Sequence, residues 1–397
     1  MDCVANAGLS TEDPAKFGGQ LIWRVPTPRP IAARIAIAGD FLPGGRLVPP
    51  PGADWSGPAA RLAAYFADID TTFLNLEAAV DAGDLQPRTL GGLGDIVSAP
   101  VQAVEYLRAI RSQAVGIANN HTYDFGSRGV ARTRAAIERY GMVGVGGDSH
   151  ASERPDVFLW QGPGSLRVGL WAAAKASSDL ATRGRRGVEP ANLARGREAL
   201  EEIKRRGARF CIALLHVGTM RASRPDPEDF RLMNSLAQAG FDLVTASHSH
   251  RIAGYKQLER DGNRDAFCFF GLGSLVSGYV NAPLEREGLI VVAALDEEGE
   301  LVALEVRPVL LDGSGFGTVP AEAEHEMIVG RFQRLSVEIE DGSYEQEFYR
   351  EVSRGLGRLY ARDLRAAFRA DGLRGLARKA GRVRMRHVKR LLHRVAV

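Results

Sequence analysis

Cysteine is scarce in this chain: three residues in 397, at positions 3, 211 and 268, with no CxxC pair among them. That count and spacing exclude a disulfide framework and a thiolate metal site. Cys211 and Cys268 lie inside apolar runs, where a buried reduced thiol is the expectation. Long hydrophobic runs are missing too, and nothing approaches the roughly 20 apolar residues of a membrane-spanning helix. The first residues, MDCVANAGLSTEDPAKFGG, have neither the basic start nor the apolar core of a secretory signal. The expectation is a cytoplasmic protein. Internal repeats are absent, and the only biased tract is an arginine-rich C-terminus.

Net charge is small at +3 but unevenly placed. Residues 350–397 hold 15 Lys and Arg against 3 Asp and Glu, leaving 36 basic and 45 acidic residues in the rest of the chain. A mildly acidic body therefore carries a strongly basic tail. From residue 371 onward the tail lacks interleaved aromatics, which, with the acidic body, argues against nucleic acid as a partner. Its Leu373, Leu376, Ala380, Val383, Leu391 and Val395 fall near helical spacing with arginines between them. Such a helix either lies on an anionic membrane surface or anionic polymer, or packs on the domain with a solvated arginine face.

What is present in abundance is the short apolar run that closes on polar residues. RIAIAGD, TFLNLE, AVGIANNH, RVGLWAAAKAS, FCIALLHVG, DLVTASHSH and AFCFFGLGS alternate with helix-like segments such as GVARTRAAIERYG and PEDFRLMNSLAQAG. Buried strands alternating with helices predict an α/β fold. LIVVAALDEEGELVALEVRPV (289–309) instead reads as an antiparallel hairpin near a sheet edge. Residues 1–30 show no periodicity and suggest an extended arm. The main domain spans 31–310, a loop and short helix follow over 311–349, and 350–397 forms a helical tail broken by glycines.

In open α/β sheets, binding groups gather where strands end. Five runs end on potential metal ligands: Asp40, Glu77, Asn120, His216, and the pair His248 and His250. Four of the eight histidines (His121, His216, His248 and His250) stand at strand ends. Each residue has an ordinary reading as well. An aspartate after glycine is commonly a turn or cap, and a histidine closing an apolar strand is commonly a core residue. HxH in an extended segment is more telling, because it puts both imidazoles on one face, where they can bracket one ion. Five strand ends in one order make coincidence a poor account.

The ordered set GD…NLE…NNHxxDxG…HxG…HxH…LG resembles the CapA family of capsule and poly-γ-glutamate biosynthesis proteins, relatives of the calcineurin-like metallophosphoesterases. The similarity runs from about Ile35 to Pro308. It implies a metallophosphoesterase-like four-layer α/β/β/α sandwich, here with a C-terminal helical extension. It also implies that Asp40 is the first metal ligand, that Glu77 takes the place of a bridging aspartate, and that Asn120, His216, His248 and His250 complete the set. His121 becomes the histidine beside the substrate, with Asp124 holding its tautomer and Gly126 allowing the turn that follows. Asn119 and Ser274 fall among substrate-binding positions.

Oxygen and imidazole donors suit Mn²⁺, Zn²⁺, Fe or Mg²⁺, and a bridging Glu77 would hold two such ions roughly 3.5–4 Å apart. The implied activity is a metal-dependent hydrolase of phosphorylated small molecules or an anionic polymer, acting in synthesis or export of a cell-surface polymer. The alternative is a non-catalytic polymer-binding or assembly component. Three departures from the family pattern stand out: Leu42 where a phosphoesterase has histidine, Ser274 in GLGS where the family usually has asparagine, and Thr219–Met220 after HVG.

Overall fold

A computed structural model describes residues 19–355, apart from 28, 48–54, 89–95, 176, 178, 261–264 and 281. Residues 1–18 and 356–397 lie outside the description, and with them most of the expected arm, Cys3 and nearly all of the basic tail.

Two sheets form the frame. The larger runs in the order β1 (Gln20–Arg24), β17 (Leu301–Leu311), β16 (Glu287–Leu295), β2 (Ala33–Ala38), β4 (Thr71–Asn75), β7 (Ser112–Gly116) and β8 (Val143–Val145), with β18 (Gly317–Thr318) beside β17. The smaller runs β13 (Tyr255–Leu258), β14 (Ala266–Phe269), β12 (Leu243–Ser247), β11 (Phe210–His216), β10 (Arg167–Ala174) and β9 (Val157–Gln161). Two short parallel pairs complete the strands: β3 (Asp40–Leu42) with β15 (Ser274–Ser277), and β5 (Ala79–Val80) with β6 (Ser98–Ala99). The helices are α1 (Ser56–Ala60), α2 (Ala63–Phe66), α3 (Ala103–Ala109), α4 (Gly126–Arg139), α5 (Leu193–Arg205), α6 (Pro227–Ala239) and α7 (Glu322–Glu340), followed by a helical stretch over residues 344–355.

The layering follows from strands that are apolar on both faces. Ile35, Ile37 and Phe73 of the larger sheet meet Leu170, Ile212 and Phe267 of the smaller in one core between the sheets. On the far side of the larger sheet, Ala36, Leu74 and Val115 pack with Leu62, Tyr106 and Ile137 from the region of α1 to α4. On the far side of the smaller, Trp171, Ala213 and Val244 pack with Ala199, Ile203 and Leu236 of α5 and α6. The result is the four-layer α/β/β/α sandwich expected from the sequence. Cys211 and Cys268 are buried and form no disulfide among the described residues, as their apolar neighbours imply.

The central strands β2, β4, β7 and β8 are parallel, as are β10, β11, β12 and β14. Their carboxyl ends therefore open in one direction within each sheet. The hairpin is present too: β16 and β17 pair antiparallel, and Asp296 Oδ1 accepts from the N–H groups of Glu298 (3.1 Å) and Glu300 (2.8 Å) in the turn between them.

Two segments differ from the sequence expectation. Gln20–Arg24, inside the expected arm, is an edge strand on β17, with Trp23 set edge-on to Phe267 at 5.4 Å. Five residues are too few to announce a strand without the partner they pair with. The expected short helix within 311–349 is the 19-residue α7. Its Ile328, Val329, Phe332, Leu335 and Ile339 are buried at helical spacing, and Phe332 stacks on Tyr255 at 5.5 Å and Phe269 at 6.2 Å. α7 thereby closes the side of the sandwich near β13 and β17.

Candidate metal centre

Strand ends from both sheets meet in one buried cluster. Asp40 begins β3 directly after β2, and its N–H donates to Gly273 O at 3.0 Å. A side chain at Gly39 is excluded here, because its Cβ would stand 2.3 Å from that same oxygen. The glycine of "AGD" thus lets two chain segments cross closely enough to set the aspartate.

Around Asp40 the contacts are short. Asn75 Nδ2 donates to Asp40 Oδ1 at 2.7 Å, and the His248 N–H donates to Oδ2 at 3.0 Å. His250 Nδ1 lies 3.0 Å from Asp40 Oδ2 and 3.9 Å from Glu77 Oε2. His216 Nε2 lies 3.4 Å from Glu77 Oε1 and 2.7 Å from Asn120 Oδ1. The His216 and His248 rings meet at 4.6 Å. Two groups of three ligand atoms emerge, each within 4.8 Å: Asp40, Glu77 and His250, and Glu77, His216 and His248. Glu77 belongs to both.

Charge in this cluster is strongly perturbed. Burial would push Asp40 up, yet the adjacent His250 and His216 hold it well below the usual carboxylate range. Glu77 goes the other way, raised to about 8 by burial and by the charge of Asp40. Burial opposes the protonated form of His250, but Glu77 and Asp40 outweigh it and raise the ring to about 9. Burial lowers His216 to about 3 and, with the neighbouring His216 and His250, holds His248 well down. A carboxylate pair and three imidazoles that cannot all ionise together are a set that a divalent cation would relieve.

The unpartnered atoms agree. Glu77 Oε2, His248 Nδ1 and His250 Nδ1 are buried without a hydrogen-bond partner, the last lying close to Asp40 but out of line for one. Buried polar atoms of this kind need an explanation, and a cation supplies it. The His216 ring is fixed from behind, where its Nδ1 faces Asn75 Nδ2 at 3.1 Å and Ser247 Oγ at 3.2 Å, so that Nε2 points into the cluster. The residues fit a divalent metal.

His121 stands beside the ligands and belongs to neither group. Its Nδ1 is 2.8 Å from Asp124 Oδ2, and its Nε2 is 3.9 Å from Glu77 Oε1. Burial opposes its protonation, but Asp124 and Glu77 prevail and raise its pKa. Asp124 is itself fixed by the Val97 N–H at 2.8 Å.

The "NNH" stretch therefore divides its labour. Asn119 is 1 % exposed, and its amide is used internally: Nδ2 donates to Asn75 Oδ1 (3.1 Å) and Leu76 O (2.8 Å), while Oδ1 accepts from the His121 N–H (3.0 Å). That geometry makes Asn119, expected among the substrate-binding positions, a brace between the Asn75 and His121 segments. Asn120 turns to His216, and His121 to Asp124. Ser274 is buried in register with Asp40 across β3 and β15, with its Oγ unpartnered.

One expectation needs correction. His248 and His250 do not extend the strand, since β12 ends at Ser247 and both residues have positive φ, 96° and 55°. They also fall in different candidate groups, because the left-handed turns redirect each ring. Asn75 was overlooked in the sequence, although it links Asp40, His216 (3.1 Å) and Asn119. An amide closing the apolar run TTFLN was the available signal.

Among curated proteins, the chain is 28 % identical over 214 residues to a probable polyglutamine synthesis accessory protein of Mycobacterium tuberculosis, covering 50 % of this chain and 54 % of that protein. It is 22 % identical over 185 residues to the capsule biosynthesis protein CapA of Bacillus anthracis, covering 45 % and 44 %. The chain thus spans about half the length of the curated relatives it matches. Among solved structures, NAD nucleotidase of Haemophilus influenzae overlays with a TM-score of 0.43 at 10 % identity, covering 76 % of this chain and 62 % of that one. A calcineurin-like phosphoesterase from Bacillus subtilis overlays with a TM-score of 0.42 at 13 % identity, covering 77 % and 98 %. The family model described as bacterial capsule synthesis protein PGA_cap matches residues 34–279, more than half of the chain and all of the ligand cluster, and the protein belongs to that family.

Proposed function

We propose that this protein is a metal-dependent hydrolase of the phosphoesterase type, acting in synthesis or export of capsule, poly-γ-glutamate or a related anionic cell-surface polymer. The observation that carries this reading is the sharing of Glu77 by two ligand groups. Asp40, Glu77 and His250 would hold one divalent ion; Glu77, His216 and His248, with Asn120 beside His216, would hold a second. Mn²⁺, Zn²⁺, Fe and Mg²⁺ all suit these donors. Bound there, such ions polarise a phosphoryl or acyl oxygen and acidify water.

The chain's own residues do the rest. Asp124 accepts from His121 Nδ1 and so leaves Nε2 facing the cluster. Asp124 and Glu77 raise the His121 pKa and so favour its protonated form, from which Nε2 can hand a proton to a departing oxygen, a contribution of about 10²–10⁴-fold in rate. Asn75 and Asn119 hold Asp40 and the His121 turn in place. Substrates would be phosphorylated small molecules or the polymer itself. The basic segment 350–397 would draw the protein to an anionic polymer or to the inner face of the cytoplasmic membrane. No described helix is long and apolar enough to cross a membrane.

Metal analysis of the purified chain, paired with hydrolysis of an aryl phosphate, tests the reading. Two ions per chain and turnover that disappears in Glu77→Gln are expected. One specific observation favours a second reading, a non-catalytic polymer-binding or assembly component: Leu42, buried where phosphoesterases place a histidine, leaves the Asp40 group with three side-chain donors. One ion or none, without turnover, would establish that alternative.

A further inference from the structure

The loop that carries His248 and His250 is strained, and the strain is held from outside the family-matched region. Arg221, in the loop after β11, has φ 64° and joins His248 and His250 among the non-glycine residues in the left-handed region. The two loops are one unit, because the Arg221 N–H donates to Ser249 O at 2.9 Å. Such backbone persists only where its surroundings over-determine it.

The surroundings here are a helical stretch over residues 344–355, beyond residue 279, where the family match ends. Glu351 on that stretch accepts from the Ser223 N–H (3.0 Å) and Arg224 Nη1 (3.4 Å) at Oε2, and from Arg251 Nη1 (3.1 Å) at Oε1. Arg251 directly follows His250. One carboxylate thus ties both strained loops to one helix. Arg224 is gripped in turn by Glu338 of α7 through contacts of 2.7 and 2.8 Å. An apolar seat supports the arrangement, with Phe348 and Val352 packed on Ala222, and Tyr344 against Phe230 at 4.5 Å.

We propose that Glu351 is a positioning residue for the metal centre: through Arg251 and the Ser223–Arg224 turn it holds His248 and His250 where the two ligand groups need them. The proposal rests on reading the cluster as a metal site. It makes that site dependent on a helix which the family match does not include.

The test uses the full chain with Glu351→Gln and Arg251→Gln, singly and combined. Glu347→Gln serves as a control, since Glu347 pairs with Arg350 on the same helix. Affinity for Mn²⁺ and Zn²⁺ is measured by competition titration, and amide exchange at residues 248–251 is measured on the metal-free protein. Each single change is expected to weaken binding about tenfold, the lower range for outer-shell partners, and to speed exchange at 248–251. The double variant should be no worse than either single one, and the control should match the parent protein. A lowered melting temperature with unchanged affinity and exchange would make Glu351 merely structural and overturn the proposal, as would additive effects. If the parent chain takes up no ion, the proposed function falls, while exchange at 248–251 still decides whether the latch exists. Should Glu351→Gln fail to fold, Arg251→Lys loses the guanidinium fork while keeping the charge; it is expected to reduce affinity and speed exchange, and parent-like values would overturn the proposal.

Discussion

The two sides of the ligand cluster are built on different principles. On the larger sheet, Asp40, Asn75 and Asn119 are chained by hydrogen bonds and sit at or just beyond strand ends. On the smaller sheet, His248 and His250 lie past the strand in left-handed backbone, and each keeps a buried ring nitrogen without a hydrogen-bond partner. One side delivers negative charge in a fixed place. The other delivers imidazole donors whose position depends on two strained loops. A site assembled this way tolerates loss on the two sides unequally.

The comparison is broken most completely at Glu77, the one residue common to both ligand groups. Glu77→Gln is expected to remove all bound metal, measured by elemental analysis. It should not lower the melting temperature of the metal-free protein, because a buried acid raised to about 8 is already neutral near pH 7. Retention of one full equivalent of metal would show that Glu77 does not bridge. For His121→Ala the expected signature is different: metal content unchanged and turnover reduced by about 10²–10⁴-fold. Metal lost along with activity would make His121 a ligand.

The histidine side should yield one site at a time. His216→Ala and His248→Ala are each expected to lower bound metal while the circular dichroism spectrum is retained, since the apolar strands β11 and β12 remain intact. Unchanged metal in both variants refutes the assignment. Protons offer a finer probe of the same asymmetry. In the metal-free protein Glu77 and His250 are raised to about 8 and about 9, so a cation must displace a proton from each near neutral pH. Affinity should therefore fall as pH drops below about 8, and calorimetry in buffers of different ionisation enthalpy should register proton release. Affinity that is flat between pH 6.5 and 8.5 contradicts this.

The smallest effect on the site is expected from the tail. Removing residues from Gly372 onward should leave metal content and small-substrate hydrolysis unchanged, because every ligand precedes Arg251. Binding to vesicles containing anionic lipid should disappear, and in the intact chain it should weaken with salt, as attraction screened within about 10 Å at 0.1 M requires. Binding insensitive to salt would indicate apolar insertion. Loss of solubility on truncation would assign the apolar face of that segment to the domain.

By itself the sequence determined the alternation of strands and helices, the hairpin around DEEGE, and which strand-end residues are candidates for one cluster. Those are local properties: apolar run length, turn residues, and which side chain closes a run. Tertiary structure alone decided how the ligands divide. Glu77 is shared, Asn119 braces, and Asn75 matters because partners arrive from β3 and β11, far away in sequence. It alone turned Gln20–Arg24 into a strand, since an edge strand exists only against its neighbour. The spacing that buries one face of α7 was present in the sequence, but Gly330 and the charged residues among it obscured the pattern. Glu351 was the least visible of all, 100 residues from the arginine it holds. Its role depends on one carboxylate meeting two strained loops, and no periodicity or motif in a chain encodes a contact that only packing brings about.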